Sequence, residues 1–233
     1  MSGLLVAGID GARGGWVVVT VTCDGNDEAD VRVVPDLHAV IERIDSGALA
    51  AAAIDIPIGL ATGEPRRADV EARRLLGARR SSVFPAPARS VLAASTYEQA
   101  CALSRAACGK AISKQLFNIL PKIREVDELV TPRRQQRLFE MCPELSLGVL
   151  SGAPMAHAKT TAAGRGERMR ALGDVFGRKE IERHIRQTHP GARADDVLDA
   201  FAGAWTARRY AAAAHLQLGG DLDARQLRME VVA

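Results

Sequence analysis

Carboxylate side chains stand where two apolar segments of this 233-residue chain end. Asp10 follows the apolar run at 4–9 and precedes a glycine-rich turn. Asp55 lies inside a second apolar run, 48–60, close to the proline and glycine that interrupt it. Both runs are typical of buried strands. An acid at the end of a buried strand either serves the turn that follows or belongs to a site.

Further acids occur near the C-terminus. Asp196 and Asp199 are three residues apart, which puts both on one face at the start of the last predicted helix. Glu144 follows a short strand candidate at 137–142. Carboxylates that converge repel one another, and a hard divalent cation such as Mg²⁺ or Mn²⁺ removes that repulsion by taking oxygen ligands. Two such ions at one site activate water and stabilise the leaving oxygen in phosphodiester cleavage.

Each of these acids also has a simpler explanation. Asp10 before a glycine serves as a turn residue. Asp55 caps the end of a strand through backbone N–H groups, and acids in the first turn of a helix interact favourably with the helix dipole. Position alone does not separate these explanations from a metal site.

The elements that position the acids begin with a three-stranded meander at 4–9, 16–22 and 29–34. Apolar residues at helical spacing predict a helix over 36–45, with Asp36 as its N-cap. The strand in 48–60 follows that helix and therefore runs parallel to the first strand. Because ligand sites favour the carboxyl edge of such sheets, we expect Asp10 and Asp55 side by side at that edge.

The remaining pattern is mostly helical. We expect 61–135 to be a helical insertion beside the acidic edge, with an irregular break at 77–89 and helices at 97–119 and 121–130, the second opening at Pro121. The later predicted elements are a strand at 137–142, a helix from Pro143, and helices at 166–177, 178–188 and 194–216. No repeat or linker divides the chain. The prediction is one α/β domain over 1–233 with a mixed five-stranded sheet flanked by helices.

Basic side chains near the acids are candidate phosphate ligands. Arg13 lies in the first turn, and Arg79 and Arg80 lie in the proline-bounded loop, where guanidinium groups can hold a phosphate. Lys159 precedes a threonine and a glycine-rich stretch. The alternative for all of them is a solvated loop or a structural ion pair.

Composition restricts partners and compartment only broadly. The net charge of +3 is compatible with DNA or RNA as a partner without requiring one, and 4% aromatic residues offer few platforms for base stacking. Four cysteines without a CxxC pair indicate a reducing compartment, and no apolar run approaches the ~20 residues of a membrane span. We predict a soluble, cytoplasmic protein without a membrane partner, and leave its oligomeric state open, a dimer included.

Several stretches together resemble a known family: GIDGARGGW at 8–16, AIDIPIGL at 53–60, LGARRSSVFPAPAR at 76–89, SKQLFNILPKIREVD at 113–127, FEMCPELSL at 139–147, KTTAAGRGERMRAL at 159–172 and DDVLDAFAGAWTA at 195–207. On these residues the chain resembles the domain of unknown function 429 family, described as predicted ribonuclease H-like nucleases. The resemblance implies a ribonuclease H-like fold and metal-dependent hydrolysis of DNA or RNA. The acids at 196 and 199 also resemble the final-helix acids of Holliday-junction resolvases.

The resemblance also implies roles for individual residues. It implies a catalytic set of Asp10, Asp55, Asp196, Asp199 and Glu144, of which the four aspartates are metal ligands for Mg²⁺ or Mn²⁺. The chain departs from the family at Cys142, where His-Pro-Glu is usual, so no histidine acts at that position.

Two other functional classes compete with the nuclease. One is a phosphate-binding ATPase related to actin and sugar kinases, whose first hairpin also offers an acid and glycines to a phosphate. Such proteins generally duplicate the fold, and 233 residues leave little room for a second copy. The other is a noncatalytic module of the same fold that binds nucleic acid or another ligand.

Overall fold

The computed structural model describes residues 3–25, 28–187 and 189–233 as an α/β fold built on a mixed sheet. Its strands lie in the order β3-β2-β1-β4-β5, and their bounds are β1 Leu5–Ala12, β2 Gly15–Thr22, β3 Asp30–Val34, β4 Leu49–Ile54 and β5 Leu138–Glu140. The first three strands are antiparallel neighbours, whereas β4 and β5 run parallel to β1. The predicted mixed five-stranded sheet is confirmed, and its topology is consistent with a ribonuclease H-like fold.

The turn between β1 and β2 requires a glycine at one position. Gly15 has φ +128, and a Cβ built there would lie 2.0 Å from the carbonyl oxygen of Val34. Other residue types are strained in that backbone region. Because Gly15 has no Cβ, the end of β3 at Val34 can pack directly against the turn between β1 and β2.

Helix α1, His38–Asp45, carries the chain back to β4 and buries Val40, Ile41 and Ile44. The prediction of Asp36 as its N-cap is wrong by one position, because Leu37 occupies the cap without a side-chain bond. The Asp36 carboxylate instead accepts a hydrogen bond from the backbone N–H of His38 at 3.0 Å.

Helix α8, Ala194–Ala211, packs on β1 at backbone distance. A Cβ on Gly8 would lie 2.0 Å from the carbonyl oxygen of Ala200, and one on Gly203 would lie 2.9 Å from the Cα of Gly8. These glycines bring the start of α8 to the edge of the sheet where β1 ends. The prediction of a helix over 194–216 is wrong at its end, because the left-handed Ala213, at φ 52, turns the chain toward the next strand.

Between β4 and β5 the chain forms three helices: α2 Arg67–Leu76, α3 Tyr97–Cys108 and α4 Lys114–Leu129. Short 3₁₀ turns occupy Gly77–Ser82 and Arg89–Ala93, within and just after the predicted irregular break.

The predicted division of this region at Pro121 is wrong. Gly109, at φ +73, ends α3, and the Ser113 side chain caps a new helix by accepting the N–H of Leu116 at 3.1 Å. Pro121 therefore lies inside α4 rather than at its start. Leu120 and Ile123, both fully buried, flank it. Their burial outweighs the backbone hydrogen bond that a proline removes.

The last part of the chain holds α5 Pro143–Ser151, α6 Ala162–Phe176 and α7 Arg178–Arg186, followed after α8 by a hairpin of β6 Gln217–Leu222 and β7 Arg228–Val232. The predicted helix over 166–177 begins earlier because Thr161 accepts the N–H of Gly164 at 3.0 Å. Position 188, the end of another predicted helix, lies outside the described residues. The hairpin packs on α2 and was not predicted.

Helices and loops cover both faces of the sheet, which explains why its central strands are apolar on both sides. One face packs under α1 and α4, and the other under α5 and α8. Within the described ranges, no helix combines the length and apolar character that a membrane crossing requires.

Candidate active site

A cavity of about 1260 Å³ opens where β1 and β4 end. Other parts of its lining come from the loop at 79–85, one face of α4 and the loop before α6. Four aspartates contributed by two strands and one helix line it: Asp10, Asp55, Asp196 and Asp199. We call these four residues the aspartate cluster.

The two strand acids leave neighbouring parallel strands at the same level. Ile9 pairs with Ile54, and the backbone N–H of Asp55 donates to the carbonyl oxygen of Ile9 at 3.0 Å. Asp10 is only 8% exposed, and its Oδ1 accepts the N–H of Gly11 at 2.8 Å. The expected adjacency of the two acids is therefore present.

The two helix acids differ in their surroundings. Asp196 is half-buried, and its Oδ2 accepts the backbone N–H of Arg193 at 2.8 Å, so it also caps α8. Asp199 is buried, and its Oδ2 lies 2.9 Å from Nζ of Lys159. Lys159 itself is half-exposed on the loop before α6.

The negative charge of the aspartate cluster is only partly compensated by the positive charges near it. Burial, followed by the charges of Asp199 and Asp55, raises the pKa of Asp10 well above its usual range. Burial and then Asp199 raise the pKa of Asp55 to about 7. Burial also raises the pKa of Asp199 and Asp196, although Lys159 opposes the shift in both. For Lys159, burial lowers the pKa, but the nearby aspartates outweigh it and the net shift is upward.

This donor set fits a hard divalent cation in its chemistry, because it offers buried, mutually repelling carboxylate oxygens. The ligand geometry is not preassembled. Among the described residues, no three Asp, Glu, His or Cys side chains are grouped closely enough to hold an ion as they stand. Lys159 holds Asp199 in an ion pair instead.

Glu144 lies in the first turn of α5 and lines the same cavity. It is buried and ion-paired with the buried Arg168, which also donates to the carbonyl oxygen of Gly164 at 2.8 Å. Among the described residues, the second carboxylate oxygen, Oε2, is buried and has no hydrogen-bond partner. Glu144 is thus oriented through one oxygen and leaves the other free.

The predicted phosphate ligands are divided by the structure. Arg13 is exposed in the first turn and lines the cavity. Arg79 also lines it, and its Nε donates to the carbonyl oxygen of Met155 at 2.9 Å. Its Nη2 is buried and has no hydrogen-bond partner in the described part of the chain. Arg80 is exposed and is not among the lining residues. Lys159 lines the cavity in its ion pair with Asp199.

A second group of buried charges adjoins the cavity and was not predicted. Arg66 pairs with Glu140 at 2.7 Å and with Asp69 at 2.5 Å, and all three side chains are buried. Burial raises the pKa of Glu140 to about 6, while Arg66 opposes the shift. We call these three residues the Arg66 cluster. The available signal was that Glu140 ends β5, which together with β1 and β4 makes up the three parallel strands.

Helix α4 also contributes more to the cavity than the sequence indicated. Its lining residues include Gln115, Asn118, Lys122 and Glu125, which recur at helical spacing. Lys122 Nζ lies 4.1 Å from the centroid of the Trp16 ring, and the Trp16 indole N–H donates to Glu125 at 3.0 Å. These contacts attach α4 to the first hairpin, a long-range pairing that helical periodicity does not reveal.

Comparison with known proteins gives one family match. The family model described as "Protein of unknown function (DUF429)" matches residues 8–222. Comparisons with curated proteins and with solved structures find no match. The matched range includes every residue of the aspartate cluster.

Proposed function

We propose, for a chain that belongs to the DUF429 family of proteins of unknown function, that the protein hydrolyses phosphodiester bonds of DNA or RNA in a reaction that depends on Mg²⁺ or Mn²⁺. The observation that carries the proposal is the aspartate cluster, in which four carboxylates line one cavity, only Asp199 is ion-paired with a lysine among the described residues, and the pKa values of Asp10 and Asp55 are raised. Placing such carboxylates together is costly unless a cation joins them.

The aspartate cluster would hold the cation, with Asp10 and Asp55 at its centre because they leave adjacent strands. When bound there, a divalent ion activates water and stabilises the leaving oxygen of a phosphodiester. Asp199 would add a ligand if its ion pair with Lys159 opened, and Asp196, which caps α8, would supply the other helix carboxylate.

Glu144 would orient the attacking water. Its unpartnered Oε2 is a hydrogen-bond acceptor at the cavity, and Arg168 fixes the carboxylate through the other oxygen. Pairing through one oxygen restricts the rotation of the side chain, which is the preorganisation that a water-positioning group needs.

The cationic side chains at the cavity suit the phosphate backbone. Arg13 and Arg79 both line it, and Nη2 of Arg79 is a donor for which the described residues provide no acceptor. Once it leaves Asp199, Lys159 supplies a further positive charge at the phosphate. Guanidinium groups bind phosphate oxygens through paired hydrogen bonds.

We place this activity in the cytoplasm. The four cysteines, Cys23, Cys101, Cys108 and Cys142, are free thiols, as expected in a reducing compartment.

The test is a cleavage assay with the full chain and labelled single-stranded DNA, single-stranded RNA and an RNA–DNA hybrid. Cleavage is expected with Mg²⁺ or Mn²⁺ and not with EDTA. Asp10→Asn should reduce cleavage to background while the protein stays folded, because the substitution removes one charge and little volume. Asp174→Asn is the matched control, since Asp174 is an exposed acid on α6 away from the cavity.

Two results would contradict the proposal. The first is cleavage by Asp10→Asn at the wild-type rate, and the second is cleavage that persists in EDTA. Phosphate release from ATP without cleavage of any nucleic acid would favour the actin-like and sugar-kinase-like alternative instead.

A further inference from the structure

Phe84 is an exposed aromatic side chain at the cavity. It is 45% exposed, whereas Trp16, Phe139 and Phe201 are fully buried in the core. Among the described residues it is the one aromatic side chain in the cavity lining. A single exposed apolar residue is ordinary on a protein surface, so its position beside the acids is what requires an explanation.

The backbone on both sides of Phe84 is anchored. Val83, the preceding residue, is buried, and its N–H donates to the carbonyl oxygen of Arg80 at 3.3 Å. On the other side, the N–H of Ala86 donates to Oδ2 of the buried Asp69 at 3.0 Å. Pro85, between these anchors, fixes its own φ. Phe84 therefore lines the cavity from a segment whose backbone is anchored on both sides.

Two amide side chains on α4 line the same cavity. Gln115 and Asn118 are three residues apart, so they share one face of the helix, and both are exposed. Within the described part of the chain neither side chain has a hydrogen-bond partner. An amide offers both donors and an acceptor, which is the combination that reads the edge of a nucleobase.

We propose that Phe84, Gln115 and Asn118 form a subsite for an unstacked nucleobase of a single-stranded nucleic acid. The ring offers a stacking face, the amides contact the base edge, and Arg79 contacts the neighbouring phosphate. The inference rests on the proposed function, and it narrows the substrate to single strands or unpaired ends. A base inside a duplex is already stacked and paired, so its face cannot reach an aromatic side chain.

The experiment measures binding rather than cleavage. Fluorescence anisotropy at fixed salt, in EDTA, compares a short oligothymidylate, an abasic strand with the same sugar–phosphate backbone, and a duplex of the same length. Wild type should bind the oligothymidylate about tenfold more tightly than the abasic strand, because stacking of one base on an aromatic side chain is of that order. Phe84→Ala should remove this preference, and Phe84→Trp should retain it.

The controls separate the subsite from general attraction to phosphate. Leu75→Ala changes an exposed apolar residue outside the cavity and should leave the preference intact. Equal binding of the two single strands by wild type, an unchanged preference in Phe84→Ala, or tighter binding of the duplex would each overturn the subsite. If the Phe84-dependent preference is present but no strand is cleaved with metal, the subsite stands and the nuclease proposal fails. Metal-dependent cleavage without that preference would support the nuclease proposal and overturn the subsite.

Discussion

The protein contains two groups of buried acids that differ in how their negative charge is compensated. In the Arg66 cluster, Glu140 accepts from Arg66 and from the N–H of Ile58 at 2.8 Å, and Asp69 accepts from Arg66 and from the N–H of Ala86. In the aspartate cluster, Asp199 is ion-paired with Lys159, while Asp10 accepts the backbone N–H of Gly11 and Asp196 accepts that of Arg193.

Burial alone does not explain the difference between the two clusters. In the Arg66 cluster, a buried arginine lies between two buried acids and compensates their charge. In the aspartate cluster, burial followed by repulsion between the acids raises the pKa of Asp10 and Asp55, and Lys159 opposes these shifts only in part. Groups with strongly perturbed pKa values in a cavity are candidate functional groups. Glu140 also lines the cavity and has a raised pKa, so the pKa shift alone does not separate the two clusters. The buried arginine that pairs with both acids of the Arg66 cluster does separate them, and we interpret that cluster as structural and the aspartate cluster as the candidate site.

The largest effect should come from breaking the structural cluster. Arg66→Met leaves Glu140 and Asp69 buried without their cation, and we expect the free energy of unfolding to fall by about 3–5 kcal/mol. Urea denaturation measures it. Arg67→Met is the matched control, because the Arg67 side chain is 54% exposed, and its effect should stay within about 0.5 kcal/mol. Similar losses in the two variants would remove the distinction.

The second largest effect should be the stabilisation that follows when a divalent cation is added and binds the aspartate cluster. A ligand that binds only the folded state stabilises it by about 2.7 kcal/mol at a hundredfold excess over its Kd. Mn²⁺ should therefore raise the Tm of wild type and of Asp174→Asn, as followed by differential scanning calorimetry. Asp10→Asn should lose most of the shift, because Asn carries no negative charge. An equal shift in Asp10→Asn would return Asp10 to the turn-forming explanation.

A smaller effect should appear as a pH dependence. The pKa of Asp55 is raised from 3.8 to about 7, so the folded protein binds this proton more tightly than the unfolded chain. The stability it contributes is present below about pH 4 and is lost as the pH rises toward 7. In EDTA, the free energy of unfolding of Asp55→Asn should exceed that of wild type by about 1–2 kcal/mol at pH ~8, and the difference should shrink toward pH ~5. Urea unfolding across this range tests it, and a variant less stable than wild type at pH ~8 contradicts it.

The smallest effect concerns Lys159, whose side chain is 49% exposed. Removing it in Lys159→Met should cost at most about 1 kcal/mol of stability without metal. Because the same lysine competes for Asp199, the variant should bind Mn²⁺ about fivefold more tightly, which corresponds to about 1 kcal/mol. Calorimetric titration compares it with Lys179→Met, an exposed lysine on α7. Weaker Mn²⁺ binding in Lys159→Met would assign the lysine to holding the site together.

Local patterns predicted the sheet well and its surroundings less well. The runs at 4–9 and 48–60 indicated the central strands because those strands are buried on both faces. The division at Pro121 failed because burial of Leu120 and Ile123 keeps α4 continuous, and such burial is not visible in a local window. The hairpin of β6 and β7 was missed because its positions are fixed by packing on α2, far away in sequence.

Sequence patterns were enough to predict Asp10 and Asp55 at the ends of neighbouring parallel strands, because strand periodicity and the helix crossover are visible in short segments, but they did not single out Glu140 at the end of β5. The sequence also determined that Asp196 and Asp199 share a helix face, because their spacing settles that. Three features depend on the folded arrangement: Lys159 pairs with Asp199, Glu144 pairs with Arg168, and Arg79 lines the cavity while Arg80 does not. The physical reason is that burial and charge compensation depend on which distant segments pack together. Gly8 and Gly203 set that packing here by allowing α8 to lie directly on β1.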